Sequence, residues 1–317
     1  MTERLAQRDY FGKALVRLGE TNPDVVVLDA DLAGSTKTGD FQKAFPERFV
    51  EAGIAEADMV GVAAGLAASG KISFLSSFGV FASGRCWEQI RTAVAYPSLN
   101  VRIVATHCGL SVGPDGATHQ ALEDIAIMRV LPNMTVLVPA DAHETYAATL
   151  ALAECEGPAY MRMGRSKFPV IMPEDADFRI GEASVLRDGT DVSITACGQM
   201  VQTSLEAADL LAAEGISAEV ISMSTVKPID ADAIVATARK TGAVVTAEEH
   251  SIIGGLGAAV AEVLCTSYPV PIKRVGTMDT FGESGEADEL LVKYGLDAAT
   301  IAARAKQSMY QRDVIRE

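Results

Sequence analysis

The chain has 317 residues, of which 49% are apolar and 6% aromatic, and its 27 Lys and Arg residues against 42 Asp and Glu residues give a formal net charge of −15. This length favours two packed domains over a single core. The negative charge disfavours nucleic acids and anionic membranes as partners, although a local cationic pocket could still bind a phosphorylated metabolite.

The cysteines and histidines predict no metal site in this chain. The five cysteines are far apart and form no CxxC pair, so neither a zinc motif nor a disulfide framework is expected. The four histidines show no HxH or HExxH spacing.

The N-terminus has no signal-type apolar core, and no uncharged run approaches the ~20 residues that span a bilayer. We therefore expect a soluble, cytoplasmic protein.

Candidate strands and helices alternate along the whole chain. In the first half, strands are predicted at residues 25–29, 72–77, 101–106, 134–138 and 158–163, with helices at 4–18, 56–69, 84–95, 121–131 and 141–155. In the second half, strands are predicted near 191–196, 217–222, 243–247 and 271–276, with helices near 200–214, 231–240, 254–266 and 286–294. Strands that are separated by helices indicate parallel sheets with helices on both faces.

The alternation is interrupted once, near the middle of the chain. Between residues 164 and 179 the periodicity disappears and two prolines break any helix. We therefore predict two doubly wound α/β domains, residues 1–165 and a smaller domain at residues 181–317, joined by a linker at residues 166–180.

Glu56 opens the apolar face of the helix predicted at residues 56–69. At helical spacing the same face carries Met59, Ala63 and Ala67. A carboxyl group that is buried there without a partner would cost several kcal/mol. Glu56 therefore needs either a structural partner or chemistry that uses a buried acid.

The segment ATHCGLSVGPDGATHQ, residues 105–120, follows one strand and precedes a helix. It holds His107, Asp115 and His119 among glycines, at the carboxyl end of a strand, where open α/β sheets bind ligands. Two imidazoles and a carboxylate could steer protons around a hydroxylated substrate. The same residues could merely cap the next helix, but three of them in one glycine-rich loop favour a functional role.

Two further strand ends carry candidate ligand-binding residues. Phe78 and Phe81 lie three positions apart, directly after the strand that follows the Glu56 helix. Such a pair is often part of a core, but its position makes it a neighbour of Glu56. Arg162 and Arg165 could bind a phosphate or carboxylate, or form ion pairs.

In order and approximate spacing, several of these segments resemble the pyrimidine-binding domain of transketolase. The matching segments are Gly53-Ile54-Ala55-Glu56, Phe78 with Phe81, THCGLSVGPDGATHQ, and Arg165. The segments Glu248-Glu249-His250-Ser251 and Phe281-Gly282-Glu283-Ser284-Gly285 resemble the C-terminal domain of the same family. The resemblance covers nearly the whole chain.

The resemblance implies a thiamine diphosphate site. In this family a glutamate at the place of Glu56 hydrogen-bonds the N1′ atom of the cofactor's pyrimidine and promotes its imino form. By the same resemblance, Phe81 stacks on the pyrimidine with Phe78 beside it. Ile54 resembles the residue that holds the cofactor bent, and Asp31 resembles an aspartate near the cofactor.

The resemblance also implies a sugar phosphate site. It places His119, as a catalytic residue, and Asp115 at the carbonyl and hydroxyl end of the donor. It places His107 and Arg165 at the phosphate.

Two departures from the family pattern matter. The sequence contains no Gly-Asp-Gly, the motif with which complete transketolases bind magnesium and the diphosphate. The chain therefore resembles the C-terminal subunit of a split transketolase. Its N-terminal partner subunit would hold Mg²⁺ and the diphosphate, and a homodimer of this chain would lie within a heterotetramer. The second departure is Gly84-Arg85, where many transketolases place a tyrosine in the pyrimidine pocket.

Three alternatives stay open. The β subunit of a 2-oxo acid dehydrogenase first component also needs a second chain, but its histidine loop does not normally read DGxTHQ. Deoxyxylulose-phosphate synthase has a similar DGxTHQ but is usually one long chain and lacks a match for His107. A non-catalytic regulatory subunit would not require Glu56, Phe81, Asp115 and His119. We favour two-carbon ketol transfer between a ketose phosphate and an aldose phosphate, as in the pentose phosphate pathway.

Overall fold

The computed structural model describes residues 3–317 and contains two large sheets, each covered by helices. The first sheet has seven strands, of which all but one run parallel. In order across the sheet they are β12 (Thr225–Lys227), β6 (Thr135–Leu137), β7 (Ala159–Arg162), β5 (Val101–Thr106), β4 (Ile72–Phe78), β2 (Val25–Asp29) and β3 (Phe49–Glu51). Strands β2 and β5 are buried at every position, because helices cover both faces of the sheet.

The helices around the first sheet largely follow the apolar periodicity. They are α1 (Gln7–Thr21), α2 (Ala33–Thr36), α3 (Thr38–Ala44), α4 (Glu56–Ala68), α5 (Trp87–Gln89), α6 (Asp124–Arg129) and α7 (Ala142–Glu154). Two π-helical stretches, Val80–Arg85 and Ile90–Ala95, flank α5, so the helical segment begins before the predicted residue 84. Wide turns of this kind often occur near functional sites.

The second sheet has five strands and carries the remaining helices. In order across the sheet the strands are β14 (Ile272–Thr277), β13 (Val244–Ser251), β10 (Val192–Ala196), β11 (Ala218–Ser222) and the antiparallel β9 (Ser184–Arg187). The helices are α8 (Met200–Ala213), α9 (Ala231–Thr241), α10 (Leu256–Ser267), α11 (Ala287–Lys293) and α12 (Ala298–Arg316). The predicted fold class, two doubly wound α/β domains, is confirmed.

Several short or late elements were not predicted, among them β3, β9, α2 and α3. Strand β1 (Arg4–Ala6) pairs antiparallel with β8 (Lys167–Pro169), so α1 begins at Gln7 and the predicted linker contains a strand. Strand β12 crosses from the second half of the chain to the first sheet. Helix α12 was missed because its buried positions are mostly small residues, which make a faint apolar stripe.

Two packing features determine where the candidate residues lie. Strands β4 and β5 pair in a register that sets Phe78 opposite Thr106, so the segments that follow these strands are neighbours. One cluster of buried apolar side chains contains Val136 from the first sheet together with Ile221 and Val244 from the second, so the two domains share a core.

None of the helices within residues 3–317 combines the length and the apolar character needed to cross a membrane.

Candidate functional site

Glu56 is the first residue of α4, and its carboxylate is buried. Only 3% of the residue is exposed, and among the described residues its one hydrogen-bonding side-chain partner is Arg85, whose Nη1 lies 2.9 Å from both carboxylate oxygens. Half of the Arg85 side chain is exposed, and its guanidinium carbon lies 4.4 Å from the centroid of the Phe81 ring. The buried carboxylate and the aromatic ring are therefore joined by one cation that borders solvent.

Four aromatic rings form a cluster beside this ion pair. The Phe78 ring stacks on His107 with centroids 3.9 Å apart and lies 6.3 Å from the Phe81 ring. The His119 ring meets Phe81 edge-on at 5.4 Å and Phe78 at 6.4 Å. The fold thus brings together both phenylalanines and both histidines that were predicted from separate segments of the sequence.

His107 is held as a neutral imidazole. It is 3% exposed, its φ is +56°, and its Nδ1 lies 2.9 Å from the Thr106 hydroxyl. Burial, together with the nearby charges of Arg8, Arg165 and His119, lowers the pKa of His107 to about 3. At neutral pH this residue can offer hydrogen bonds to a ligand but no positive charge.

Asp115 lies in the segment of residues 105–120, and Arg165, which follows β7, contacts that segment. The Arg165 Nη1 atom donates to the Val112 carbonyl at 2.8 Å and lies 3.9 Å from the Asp115 carboxylate. Both side chains are partly exposed, which leaves hydrogen-bonding capacity for a ligand. His119 is oriented by a 2.9 Å contact between its Nδ1 and the Thr118 hydroxyl.

Arg162 has a structural role instead of the phosphate-binding role considered for it. It is 4% exposed, and its Nε donates to the Asp124 carboxylate at 2.8 Å. The Tyr160 hydroxyl donates to the same carboxylate oxygen at 2.7 Å. Coulombic attraction to Asp124 raises the pKa of Arg162 although burial alone would lower it. This arginine stays charged and paired in the interior.

Ile54 and Asp31 both lie at the surface. Ile54 is 76% exposed, so nothing within the described part of the chain covers it. Asp31 is exposed with φ +62°, and its backbone N–H donates to Glu51 at 2.8 Å. No hydrogen bond or aromatic contact among residues 3–317 connects either residue with Glu56 or the cluster.

Asp29, at the end of β2, is a second buried carboxylate, which the sequence patterns did not single out. Its Oδ2 accepts hydrogen bonds from the Thr36 and Thr38 hydroxyls, each at 2.7 Å. Burial raises the pKa of Asp29, and the two hydroxyl donors partly oppose that rise. The contact between Arg85 and Glu56 was also not predicted, because the sequence showed Arg85 only as a departure from the family pattern.

The residues present fit a pyrimidine-binding site. Glu56 offers a buried carboxylate whose one side-chain partner is half-exposed, and Phe81 offers a ring face that the same partner now covers. A flat, nitrogen-containing ring could replace the guanidinium in both contacts. In the described residues no group of His, Cys, Asp and Glu side chains is arranged to hold a metal ion.

Comparisons with known proteins identify the family. Residues 3–170 match the transketolase pyrimidine-binding domain, and residues 181–301 match the transketolase C-terminal domain. A putative transketolase C-terminal section of Methanocaldococcus jannaschii is 52% identical over 305 residues, covering 95% of this chain and 96% of that protein. A 6-deoxy-6-sulfo-D-fructose transketolase subunit of Clostridium sp. is 45% identical over 300 residues, covering 95% and 93%.

A solved structure agrees with these sequence matches. A split-gene transketolase, described as an inactive beta4 tetramer, superposes with a TM-score of 0.91 at 54% identity, covering 98% of this chain and 100% of that chain. The resemblance inferred from the motifs is therefore confirmed. The chain belongs to the transketolase family, as a counterpart of the C-terminal sections of split transketolases.

Proposed function

We propose that this chain is the C-terminal subunit of a split transketolase, which transfers a two-carbon ketol unit from a ketose phosphate to an aldose phosphate. The observation that carries the proposal is the buried Glu56 carboxylate, whose side-chain partner within residues 3–317 is a half-exposed Arg85 next to the Phe81 ring. Asp124 differs, because its partners Arg162 and Tyr160 are both buried. Arg85, by contrast, is half-exposed, so a ligand from solvent can displace it from Glu56.

When bound, thiamine diphosphate would supply a nucleophilic carbon and the electron sink of its thiazolium ring. The chain's own residues would hold and activate its pyrimidine. Glu56 would hydrogen-bond the N1′ atom, Phe81 would stack on the ring and Phe78 would support that stack. Ile54, which is exposed just before α4, would hold the cofactor in its bent conformation. Asp31 would lie near the cofactor.

The four proposed substrate-binding residues would contact two different ends of the sugar phosphate. His119 and Asp115 would contact the carbonyl and hydroxyl groups of the donor, with His119 able to transfer a proton. Arg165 would provide the positive charge for the phosphate. His107 would contribute a hydrogen bond to the phosphate without a charge, since burial keeps its imidazole neutral.

A partner subunit would complete the site. Gly-Asp-Gly is absent from the sequence. The described residues offer no metal-binding group. We therefore assign Mg²⁺ and the diphosphate to an N-terminal subunit with that motif, in a heterotetramer built on a homodimer of this chain. Carbohydrate metabolism in the cytoplasm, including the pentose phosphate pathway, is the expected setting.

The test is a transfer assay with the two subunits combined. A ketose phosphate donor and an aldose phosphate acceptor, with thiamine diphosphate and Mg²⁺, should give turnover, and pyruvate should not replace the donor. Glu56→Gln should lower kcat by ~10²- to 10⁴-fold, the usual contribution of a proton-transferring group. Glu88→Gln, a change at an exposed glutamate of α5, is the matched control and should leave kcat unchanged. Activity with pyruvate alone would refute the proposal.

A further inference from the structure

The second domain contacts the histidine loop, residues 107–120, at both ends. Near its start, the Ser111 N–H donates to the Glu249 carboxylate at 2.6 Å. At its end, the Gln120 side-chain amide donates to the Glu283 carbonyl at 2.9 Å and to the Leu110 carbonyl at 3.2 Å. Asp115 and His119 lie between these two contacts along the chain.

The first contact is closely fitted. Glu249 is 4% exposed, and its carboxylate fills the space where a side chain at position 109 would begin. Gly109 also has φ +84°, a conformation that L-residues rarely adopt. A glycine is therefore required here for two reasons, and one of them is the carboxylate of the other domain.

The second contact follows the same pattern. A side chain at Gly282 would collide with the Gln120 amide, and a side chain at Gly113 would come within 3.2 Å of the Gly285 carbonyl oxygen. The FGESG segment thus presents backbone groups, with no bulky side chain between, to the far end of the loop. These two segments of the second domain approach the loop at close range, and α11 also packs against its 3-10 turn.

Glu249 is itself held by the first domain. The Arg162 Nη2 atom donates to the Glu249 backbone carbonyl at 2.7 Å and to the Ala121 carbonyl at 3.2 Å. Arg162 is in turn fixed by its ion pair with Asp124. The Glu249 backbone is therefore fixed by a buried ion pair, while the Glu249 carboxylate accepts a hydrogen bond from the loop.

The loop depends on such contacts because it has little regular structure of its own. It contains a short 3-10 turn, Leu110–Asp115, that is interrupted at Gly113, and three glycines with positive φ. Loop backbone without ladder or helix hydrogen bonds is held by side chains or it moves. Here Glu249 accepts from the Ser111 N–H, while Arg165 and Ser166 of the first domain donate to the Val112 and Ser111 carbonyls.

We propose that Glu249 is a positioning residue, through which the second domain holds the histidine loop in the geometry that Asp115 and His119 need to bind the sugar. The inference rests on the proposed function and extends it, because it assigns the C-terminal domain a part in substrate recognition. The residue acts through the Ser111 backbone and does not itself contact the substrate.

The kinetic test compares Glu249→Ala with Glu249→Gln in the assembled two-subunit enzyme. Glu249→Ala should lower kcat/KM for the ketose phosphate by ~10²-fold, the usual cost of misplacing a binding group by about 1 Å. Most of this loss should appear in KM, while the dissociation constant of thiamine diphosphate should stay within about 2-fold, because Glu56 and Phe81 are not on the loop. Glu249→Gln keeps an oxygen acceptor for Ser111 and should recover most of the loss.

Glu248→Ala is the matched control. This neighbouring glutamate is equally buried, but its carboxylate accepts from the Leu256 and Gly257 N–H groups at the start of α10 and makes no hydrogen bond to the loop. Glu248→Ala should lower Tm and leave kcat/KM within about 2-fold. Equal kinetic losses in Glu248→Ala and Glu249→Ala, or an unchanged kcat/KM in Glu249→Ala, would overturn the inference.

Amide hydrogen exchange separates this inference from the proposed function. Peptides from residues 107–120 should lose protection in Glu249→Ala and keep it in Glu248→Ala, whatever reaction the enzyme catalyses. Unchanged protection in Glu249→Ala would refute the positioning role. Absence of sugar phosphate turnover in the unmodified enzyme would instead refute the proposed function and leave the exchange result to decide the inference.

Discussion

At the scale of the residue, the pairing of Glu56 with Arg85 is the main addition to what the motifs indicated. The motif identified Glu56 as a buried acid that needs a partner, and the structure supplies one from the chain itself. Such a pair combines a fully buried anion with a cation at the surface. It stabilises the cofactor-free chain and occupies the surfaces that the proposed cofactor needs.

Removing Arg85 should destabilise the cofactor-free chain. Arg85→Ala leaves a buried carboxylate without its side-chain partner, which we expect to lower the free energy of unfolding by about 1–3 kcal/mol. Urea unfolding measures the change. The control is Lys71→Ala, which removes an exposed 2.9 Å pair with Asp24 and should cost no more than about 1 kcal/mol. Equal losses in the two variants would contradict this account of Glu56.

His107 should stay neutral throughout the physiological pH range. Its pKa is lowered to about 3 by burial and nearby cations, so its imidazole should stay mostly neutral down to about pH 4. Titration by histidine NMR can follow this directly, because the chain has only four histidines. A His107 midpoint near 6.5, the value of a solvated histidine, would contradict the prediction.

At the scale of the element, short segments join the two halves of the chain more than their patterns indicate. The β12 strand pairs with β6 across some 90 residues, and Ser224, just before it, donates to Glu144 in the first turn of α7 at 2.7 Å. The Glu144 carboxylate also accepts from the Ala140 N–H at 2.5 Å. Nothing in a three-residue strand distinguishes it in the sequence from ordinary loop, so this crossing could not be predicted.

Glu144 makes the stability of the fold depend on pH. Burial raises its pKa from 4.5 to about 7, so between these values the folded chain binds more protons than the unfolded chain. Its contribution is therefore fully present below pH 4.5 and is lost as pH rises towards 7. At about 1.4 kcal/mol per pKa unit, the loss amounts to about 3 kcal/mol.

Glu144→Gln tests this dependence. The free energy of unfolding of the variant, relative to the unmodified chain, should increase by about 3 kcal/mol between pH 4.5 and pH 7.5. The comparison is made as a difference because His107, whose pKa is lowered, acts in the opposite direction over part of the same range. Unfolding curves that shift in parallel at every pH would contradict the assignment.

At the scale of the whole molecule, the candidate site lies open on one side. The aromatic cluster and the Glu56 pair border solvent, Ile54 is exposed, and the described residues hold no metal-binding group. In the proposed function a second subunit would cover this side of the site. The C-terminal domain, by contrast, already contacts the histidine loop through Glu249 and Glu283.

The isolated chain should therefore bind thiamine diphosphate weakly. Two charge-assisted hydrogen bonds to the diphosphate, at ~1.5 kcal/mol each, correspond to about 100-fold in affinity, so addition of the N-terminal subunit should tighten binding by at least that factor. Isothermal titration calorimetry with Mg²⁺, on the chain alone and on the complex, measures both values. Tight, magnesium-dependent binding by this chain alone would contradict the assignment of the diphosphate to a partner.

Local pattern was sufficient for the fold class and for most regular elements. Strand β2 was predicted at its observed limits, and α4 was predicted to within one residue, because their apolar periodicity repeats over consecutive positions. The motif residues Phe78, Phe81, His107 and His119 were also identified from sequence, and the sheet register brings them together. These features depend on neighbours in the chain or on the order of strands.

Only the tertiary structure decided which charged groups meet. Arg85 approaches Glu56 from 29 residues away and Glu249 approaches Ser111 from 138 residues away, and no periodicity encodes either distance. Electrostatic partners are selected by proximity after the elements pack, since a charge interacts with whichever groups lie within a few ångströms of it. The sequence by itself determined a two-domain α/β fold with a buried acid and a histidine loop; the packing of the two domains decided what holds each of them.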